Sequence, residues 1–428
     1  MAAQLKDLHL AELHERAAAA QVTGYRKLSR DELIEVLEAA PDQADTDEVD
    51  AVVEGTVLDP GADEPVELGA AGPAGGDEAG DDTPTEEVRG VLEVTRQRFG
   101  FLRLDPLGPS DGDVYISAAQ VRRCELRPGD EVTGPAREPR RGERHRALVH
   151  VDQVNGEEPA TEARIDFDGP APIPPERRIA LDRERDDVLA RAVDLLAPLA
   201  FGQRILVRAA ARSGRTTLLR SVARAAAADD NVRVVVLLVD EAPEEATRWR
   251  EALPIAEFAI ATADFAPVEQ VRLAELALER ARRLAEHSFD AVLVCDSLSR
   301  LAFAAGGHEE VKRLFGSGRN LTGAGSLTVI GTVLADGQDE GEAERAVITT
   351  ESALVALDPE LAAAGVVPAL RAGECRVSNE EEIRDAAELE AARRLRSLLA
   401  DLDPPEAAAL LRERIEASAS NAELLGSL

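Results

Sequence analysis

The chain has 428 residues and a formal net charge of −33, with 44% hydrophobic and only 3% aromatic residues. That length makes room for two or three domains and a sizeable aliphatic core, while the acidic balance argues against a uniformly basic nucleic-acid coat. Three widely separated cysteines, Cys124, Cys295 and Cys375, argue against a disulfide framework or a paired-cysteine zinc site and point to a reducing cytoplasm.

In chain order, residues 1–39 predict a small helical module. Leu8, Leu10, Leu13, Ala17 and Ala20 recur at helical spacing, and Ser29-Arg30-Asp31-Glu32 is a capping box opening a second helix. The N-terminus, MAAQLKDLHLAEL, lacks the basic-then-apolar pattern of a signal peptide. Nowhere does the chain approach eighteen uncharged apolar residues, so no membrane span is expected. Residues 40–88 hold sixteen Asp and Glu and no Lys or Arg. With Pro and Gly throughout and no sustained periodicity, they read as a disordered acidic linker.

Residues 89–155 change character. VRGVLEVT, FGFLRLD, DVYISAAQV and DEVTGPARE are short strands separated by Gly, Pro and Asp turns, which suggests a small closed barrel of the OB or cold-shock type. Twelve Arg between Arg89 and Arg146 make this the most basic part of an acidic protein. Phe99 and Phe101 alternate with Gly100, so their side chains share a face. Arg103 continues that face and Tyr115 lies in a neighbouring strand. An exposed aromatic pair flanked by Arg suits base stacking in single-stranded nucleic acid; the alternative is that both rings are barrel core.

A connector, residues 156–181, leads to a final region, residues 182–428. Four apolar runs, 205–207, 232–240, 290–296 and 326–334, alternate with helical stretches. Near-continuous Val and Leu between helices predicts a parallel sheet covered on both faces, with helices dominating after Glu381. The first strand runs into VRAAARSGRTTLLRS, the strand–loop–helix layout of a phosphate-binding loop. Its ending reads Gly214-Arg215-Thr216, so the strict P-loop pattern fails. Two strand-end carboxylates accompany it: Glu241, placed to orient an attacking water, and Asp296, placed to hold Mg²⁺. Arg371 could be an arginine donated across a subunit interface.

The order of these parts resembles the transcription termination factor Rho family over nearly the whole chain. The resemblance is carried by GVLEVTRQRFGFLR, DVYISAAQVRRCELRPGD, GERHRALVHVDQVN, LARAVDLLAPLAFGQR, LLVDEAPEEAT, DSLSRLA and GSLTVIGTVL. It implies a RecA-like ATPase core in a hexameric ring, a barrel that binds pyrimidine-rich single-stranded RNA, and an RNA polymerase complex as partner. It also implies residue roles. Phe99, Phe101, Arg103, Tyr115, Glu143 and His145 would line the primary RNA site. Arg212, Ser213, Gly214, Arg215, Thr216 and Thr217 would form the phosphate loop for ATP, with Thr216 and Asp296 on Mg²⁺. Glu241 would position water, and Arg371 would be the arginine finger.

The departures from the family cluster in the core. Arg215 replaces the phosphate-loop Lys and Arg212 a second Lys, exchanges of a compact point charge for a planar fork. Ala242 stands where the family has Arg, and Val367 where it has a Phe that packs on adenine. The long Gly-rich pore loop is reduced to AAGGHEE, Ala304 to Glu310. The second pore loop offers Gln338 where the family has Lys, and the basic run before Pro368 has become ELAAAGVV. In the barrel, His145 replaces a Tyr and can still stack. Two readings follow: an RNA-dependent ATPase that terminates transcription, or an RNA-binding relative of impaired catalysis that modulates termination, for instance by joining rings with an active Rho.

Overall fold

The computed structural model describes residues 84–104, 107–159, 164–335 and 340–428. The N-terminal helical module, the acidic segment as far as residue 83, and Gln338 lie outside the described residues.

The first part is a barrel. β1 (Thr85–Val94), β2 (Gly100–Arg103), β3 (Val114–Ile116), β4 (Glu131–Arg137) and β5 (Arg146–Leu148) pair in the order β1-β2-β3-β5-β4, and β4 returns to pair with β1. Closure leaves no free edge among these five strands. β6 (Gln153–Val154) pairs antiparallel beside β4, and a one-turn-and-a-half helix, α1 (Ala118–Arg123), opens on the Ser117–Gln120 capping box. The inward faces supply Leu92, Leu102, Val114, Ile116, Val132 and Leu148 to one aliphatic core. β1 begins at Thr85, inside the segment read from sequence as linker. Pairing of Thr85–Val91 with β4 and the Glu86–Arg146 ion pair of 2.9 Å recruit these polar residues into the sheet.

The second part is a mixed sheet between helical layers. It comprises β7 (Pro172–Ile173), α2 (Val188–Leu196), β8 (Arg204–Ala209), α3 (Arg215–Ala227), β9 (Val232–Glu241), α4 (Pro243–Ala252), β10 (Glu257–Thr262), α5 (Pro267–Glu286), β11 (Asp290–Asp296), α6 (Leu298–Ala305) and α7 (Glu309–Gly316). There follow β12 (Arg319–Leu321), β13 (Ser326–Leu334), α8 (Glu340–Val347), β14 (Ala353–Ala356), α9 (Pro359–Ala363), β15 (Arg376–Val377), α10 (Ala386–Ala400), α11 (Pro404–Ala417) and α12 (Asn421–Gly426). The parallel strands run β10-β9-β11-β13-β8-β14. Alternation along β9 divides the core. Val234, Val236 and Leu238 face one layer with α3 and the C-terminal helices, while Val235, Leu237 and Val239 face the other with α5, α6 and α7. The carboxyl ends of β8, β9 and β11 therefore open on one edge, where ligands of open α/β sheets bind. Among the described residues no helix is long and apolar enough to cross a membrane.

The barrel sits on α5. Gly129, at φ +83°, brings the backbone so close to this helix that an added Cβ would stand 2.4 Å from the Glu279 carbonyl carbon. Arg127 pairs with buried Glu286 at 2.6 Å, and Arg280 of α5 reaches Glu131 of β4 at 3.0 Å. Glu93 of the barrel joins Arg103 to Arg272 of α5.

Candidate functional sites

In the barrel, Phe99 immediately precedes β2 and Phe101 lies opposite Tyr115 on β3. Neither Phe belongs to the aliphatic core, which takes Leu102, the residue after Phe101, on the opposite face. The rings form a cluster of their own on the other face. Phe99 lies 5.8 Å from Phe101 and 5.5 Å from Tyr115, and Phe101 lies 5.1 Å from His145, edge to face. The sequence predicts exposed rings. Instead Phe99 and Phe101 are each 9% exposed, because the cluster packs on itself while staying outside the barrel core.

Arg103, expected beside the rings as an exposed contact, is 3% exposed. Its Nε donates to Glu93 at 2.7 Å, another nitrogen pairs with Asp113, and its guanidinium lies 5.2 Å from the Phe101 ring centre. It braces the cluster from beneath. Glu143 accepts both Arg137 nitrogens, at 2.6 and 2.8 Å, and the Arg140 amide at 2.9 Å. These bonds, Arg137 foremost, hold its carboxyl down at about 2. Burial and the nearby Glu143 charge push the Tyr115 hydroxyl up. Glu143 thus fastens the turn that leads to His145.

In the core, the loop after β8 carries the second site. Gly214 adopts φ +91° at the start of α3 and offers no side chain as a cap, which leaves the helix's first amides for an anion. Ser213 is buried, its hydroxyl donating to the Ala210 carbonyl at 2.8 Å. Arg212 and Thr217 are exposed and Thr216 is half-buried. A cavity of about 1000 Å³ opens here, between Arg212, Ser213, Gly214 and Thr217 on one side and Gly365, Val366 and Val367 on the other. Among the described residues, no aromatic side chain lines it.

Glu241 ends β9. Asp240 before it takes a left-handed φ of +54°, and the pairing with β10 skips it, so Val239 and Glu241 face successive residues Ala261 and Thr262. This bulge re-aims the Glu241 carboxylate. Asp296 ends β11, fully buried, and accepts from the Thr332 hydroxyl at 2.9 Å. Arg215 spans the two carboxylates: one terminal nitrogen donates to Glu241 Oε1 at 2.7 Å, and its Nε lies 3.1 Å from Asp296 Oδ1. Arg300 of α6 adds a second cation, 2.5 Å from Glu241. Burial pushes both carboxyls up from the usual range, and Arg215 and Arg300 oppose it. Sequence reasoning passed over Arg300. The signal was its place in DSLSR, one helical turn beyond Asp296.

A P-loop of this kind implies Mg²⁺ on Thr216 and Asp296. The donors present do not fit it: Asp296 Oδ1 is taken by Arg215 and Thr332, and Oδ2 is closed to solvent and, among the described residues, has no hydrogen-bond partner. The remaining named residues lie apart. Arg371 is exposed, with nitrogens 3.5 Å from Asp358 and 3.4 Å from Glu374. Where the pore loop was expected to be shortened, α6 and α7 are joined by Gly306, Gly307 and His308 alone.

Comparison with known proteins agrees with both halves. Residues 88–160 match the Rho termination factor RNA-binding domain, and residues 190–317 match the nucleotide-binding domain of the ATP synthase alpha/beta family. "Transcription termination factor Rho" of Chromobacterium violaceum is 35% identical over 368 residues, covering 79% of this chain and 87% of that protein. The Thermotoga maritima protein of the same name is 35% identical over 78% of this chain and 84% of its own length. The Bacillus subtilis protein of that name is 38% identical over 58% of this chain and 63% of its own. Among solved structures, an ATPase of a bacterial type III secretion system has a TM-score of 0.52 at 20% identity, covering 65% of this chain and 93% of that one. That likeness is one of fold.

Proposed function

The chain belongs to the Rho family of transcription termination factors, and we propose that it captures single-stranded, pyrimidine-rich RNA on the aromatic face of its barrel while its core holds a nucleotide that it turns over slowly. The observation that carries the first half is the ring cluster of Phe99, Phe101, Tyr115 and His145, held outside the barrel core and braced by Arg103 and Glu143. A ring surface set in an Arg-rich strand edge offers each base a stacking partner, and modest pyrimidine preference arises from stacking strength and backbone flexibility. The rings, not Arg103, meet the RNA; Arg103 and Glu143 hold them.

For the second half, the loop from Arg212 to Thr217 receives the phosphates and the cavity towards Val367 receives the base and sugar. Glu241 and Asp296 stand where a water-orienting and a metal-holding carboxylate are needed, yet both are engaged by Arg215. A donor aimed at charge developing in the transition state contributes about 10²–10³ in rate. An Arg tied to two carboxylates is not free to act there, so hydrolysis is slow. Arg371, exposed on its loop, serves as the finger for a neighbouring subunit in a hexameric ring of identical or mixed subunits, and the ring acts on the RNA polymerase complex.

The test is fluorescence anisotropy with a labelled oligocytidine RNA. Full-length protein should bind it, and an oligopurine RNA of equal length should bind more weakly. Equal, weak binding of both would sink the RNA half of the reading.

A further inference from the structure

We propose that Arg215 supplies from within the chain the positive charge that a divalent cation would bring, so that this phosphate loop takes its nucleotide free of metal. The inference rests on the reading of the core as a nucleotide site and goes beyond it.

The geometry is specific. The Arg215 guanidinium bridges Glu241 and Asp296, with contacts of 2.7 and 3.1 Å, and its side chain is 13% exposed. Arg300 sits on the same Glu241 oxygen. Two guanidinium groups thus face Glu241 and Asp296, with Asp240 a further 3.9 Å from Arg300, and most of the local negative charge is offset before any ligand arrives. A divalent ion entering here meets a largely neutralised cluster and a fixed cation where it would need bare oxygens. Its own hydration favours staying in water.

Arg is suited to this and Lys is not. Its planar fork can hold two carboxylates and keep further N–H groups over. Among the described residues, Arg215 Nη1 donates no hydrogen bond. Arg215 is also the first residue of α3, so its backbone lies at the anion-binding end of the helix. One residue therefore reaches the phosphate end of the site and neutralises the carboxylates behind it.

The experiment is a fluorescence titration of the full chain with the mant derivatives of ADP and of a non-hydrolysable ATP, in Mg²⁺ and in EDTA. The parent is expected to bind with affinities that agree within about twofold, a difference of less than half a kcal/mol. Arg215→Ala frees Asp296 of its cation, leaves Glu241 to Arg300 alone, and should bind at least about tenfold more tightly with Mg²⁺ than in EDTA. Arg215→Lys, the variant to rely on if the Ala form does not fold, keeps a charge but not the bridge and should also become metal-dependent. A parent that loses about tenfold or more in EDTA overturns the inference, because Arg215 then moves aside for the ion. So does metal indifference in the parent and both variants. No binding in either buffer contradicts the nucleotide-site reading itself, an outcome distinct from metal-dependent binding.

Discussion

Phe101 touches three partners at once: Phe99, Tyr115 and His145. Replacing it with Ala removes the middle of the stacking surface and should weaken oligocytidine binding by about 1–3 kcal/mol. Equal affinity of variant and parent, measured by anisotropy, would contradict the stacking role. Arg103 is different in kind. Arg103→Ala leaves Asp113, 1% exposed, without its cation and should lower stability by about 3–5 kcal/mol in urea unfolding. Glu143 links pH to the same surface. Its carboxyl is held at about 2, below the unfolded value of about 4.3, so its contribution is complete above the unfolded value and is lost as pH falls through the folded one. The melting-temperature gap between parent and Glu143→Gln should therefore be widest near neutrality and close on acidification; a gap that does not change with pH would contradict the pairing with Arg137. That ring faces, and not the aromatics' burial, could be read in the sequence follows from strand alternation. Strand period places Phe99 and Phe101 together but is silent on how closely neighbouring strands pack on them.

At the scale of elements, the Val- and Leu-rich strands β9, β11 and β13 were legible because burial on both faces demands continuous apolar runs. β10, EFAIAT, and β14, ALVA, were not. Both are short and Ala-rich, and Ala favours helix; pairing with β9 and β8 overrides that preference. The Arg215 bridge was equally hidden, since it depends on where three strand ends meet and not on spacing along the chain. The joint between barrel and core is made by backbone approach at Gly129. Gly129→Ala adds a Cβ 2.4 Å from the Glu279 carbonyl carbon at a positive φ, a strain of at least about 1 kcal/mol. It should lower the melting temperature of the full chain; an unchanged melting curve would mean that the barrel and α5 separate freely.

For the whole molecule, charge and site are set against each other. An RNA-binding barrel rich in Arg belongs to a chain of net charge −33, and the acidic segment 40–83 precedes it directly. Like charges repel RNA phosphates over a Debye length of about 10 Å at 0.1 M salt. Deleting residues 40–83 should raise RNA affinity at low salt, with the gain shrinking as salt is added; a gain independent of salt would exclude repulsion. The barrel keeps its ring surface, while the core ties its phosphate-loop cation to its own carboxylates and joins α6 to α7 without a pore loop. On the reading proposed above, RNA capture is retained and ATP hydrolysis is slow. The most direct measurement is steady-state ATP turnover by the full chain with Mg²⁺, with and without saturating oligocytidine RNA whose binding is followed in the same samples. The account predicts bound RNA with slow turnover that RNA does not raise. Brisk, RNA-stimulated hydrolysis would contradict it.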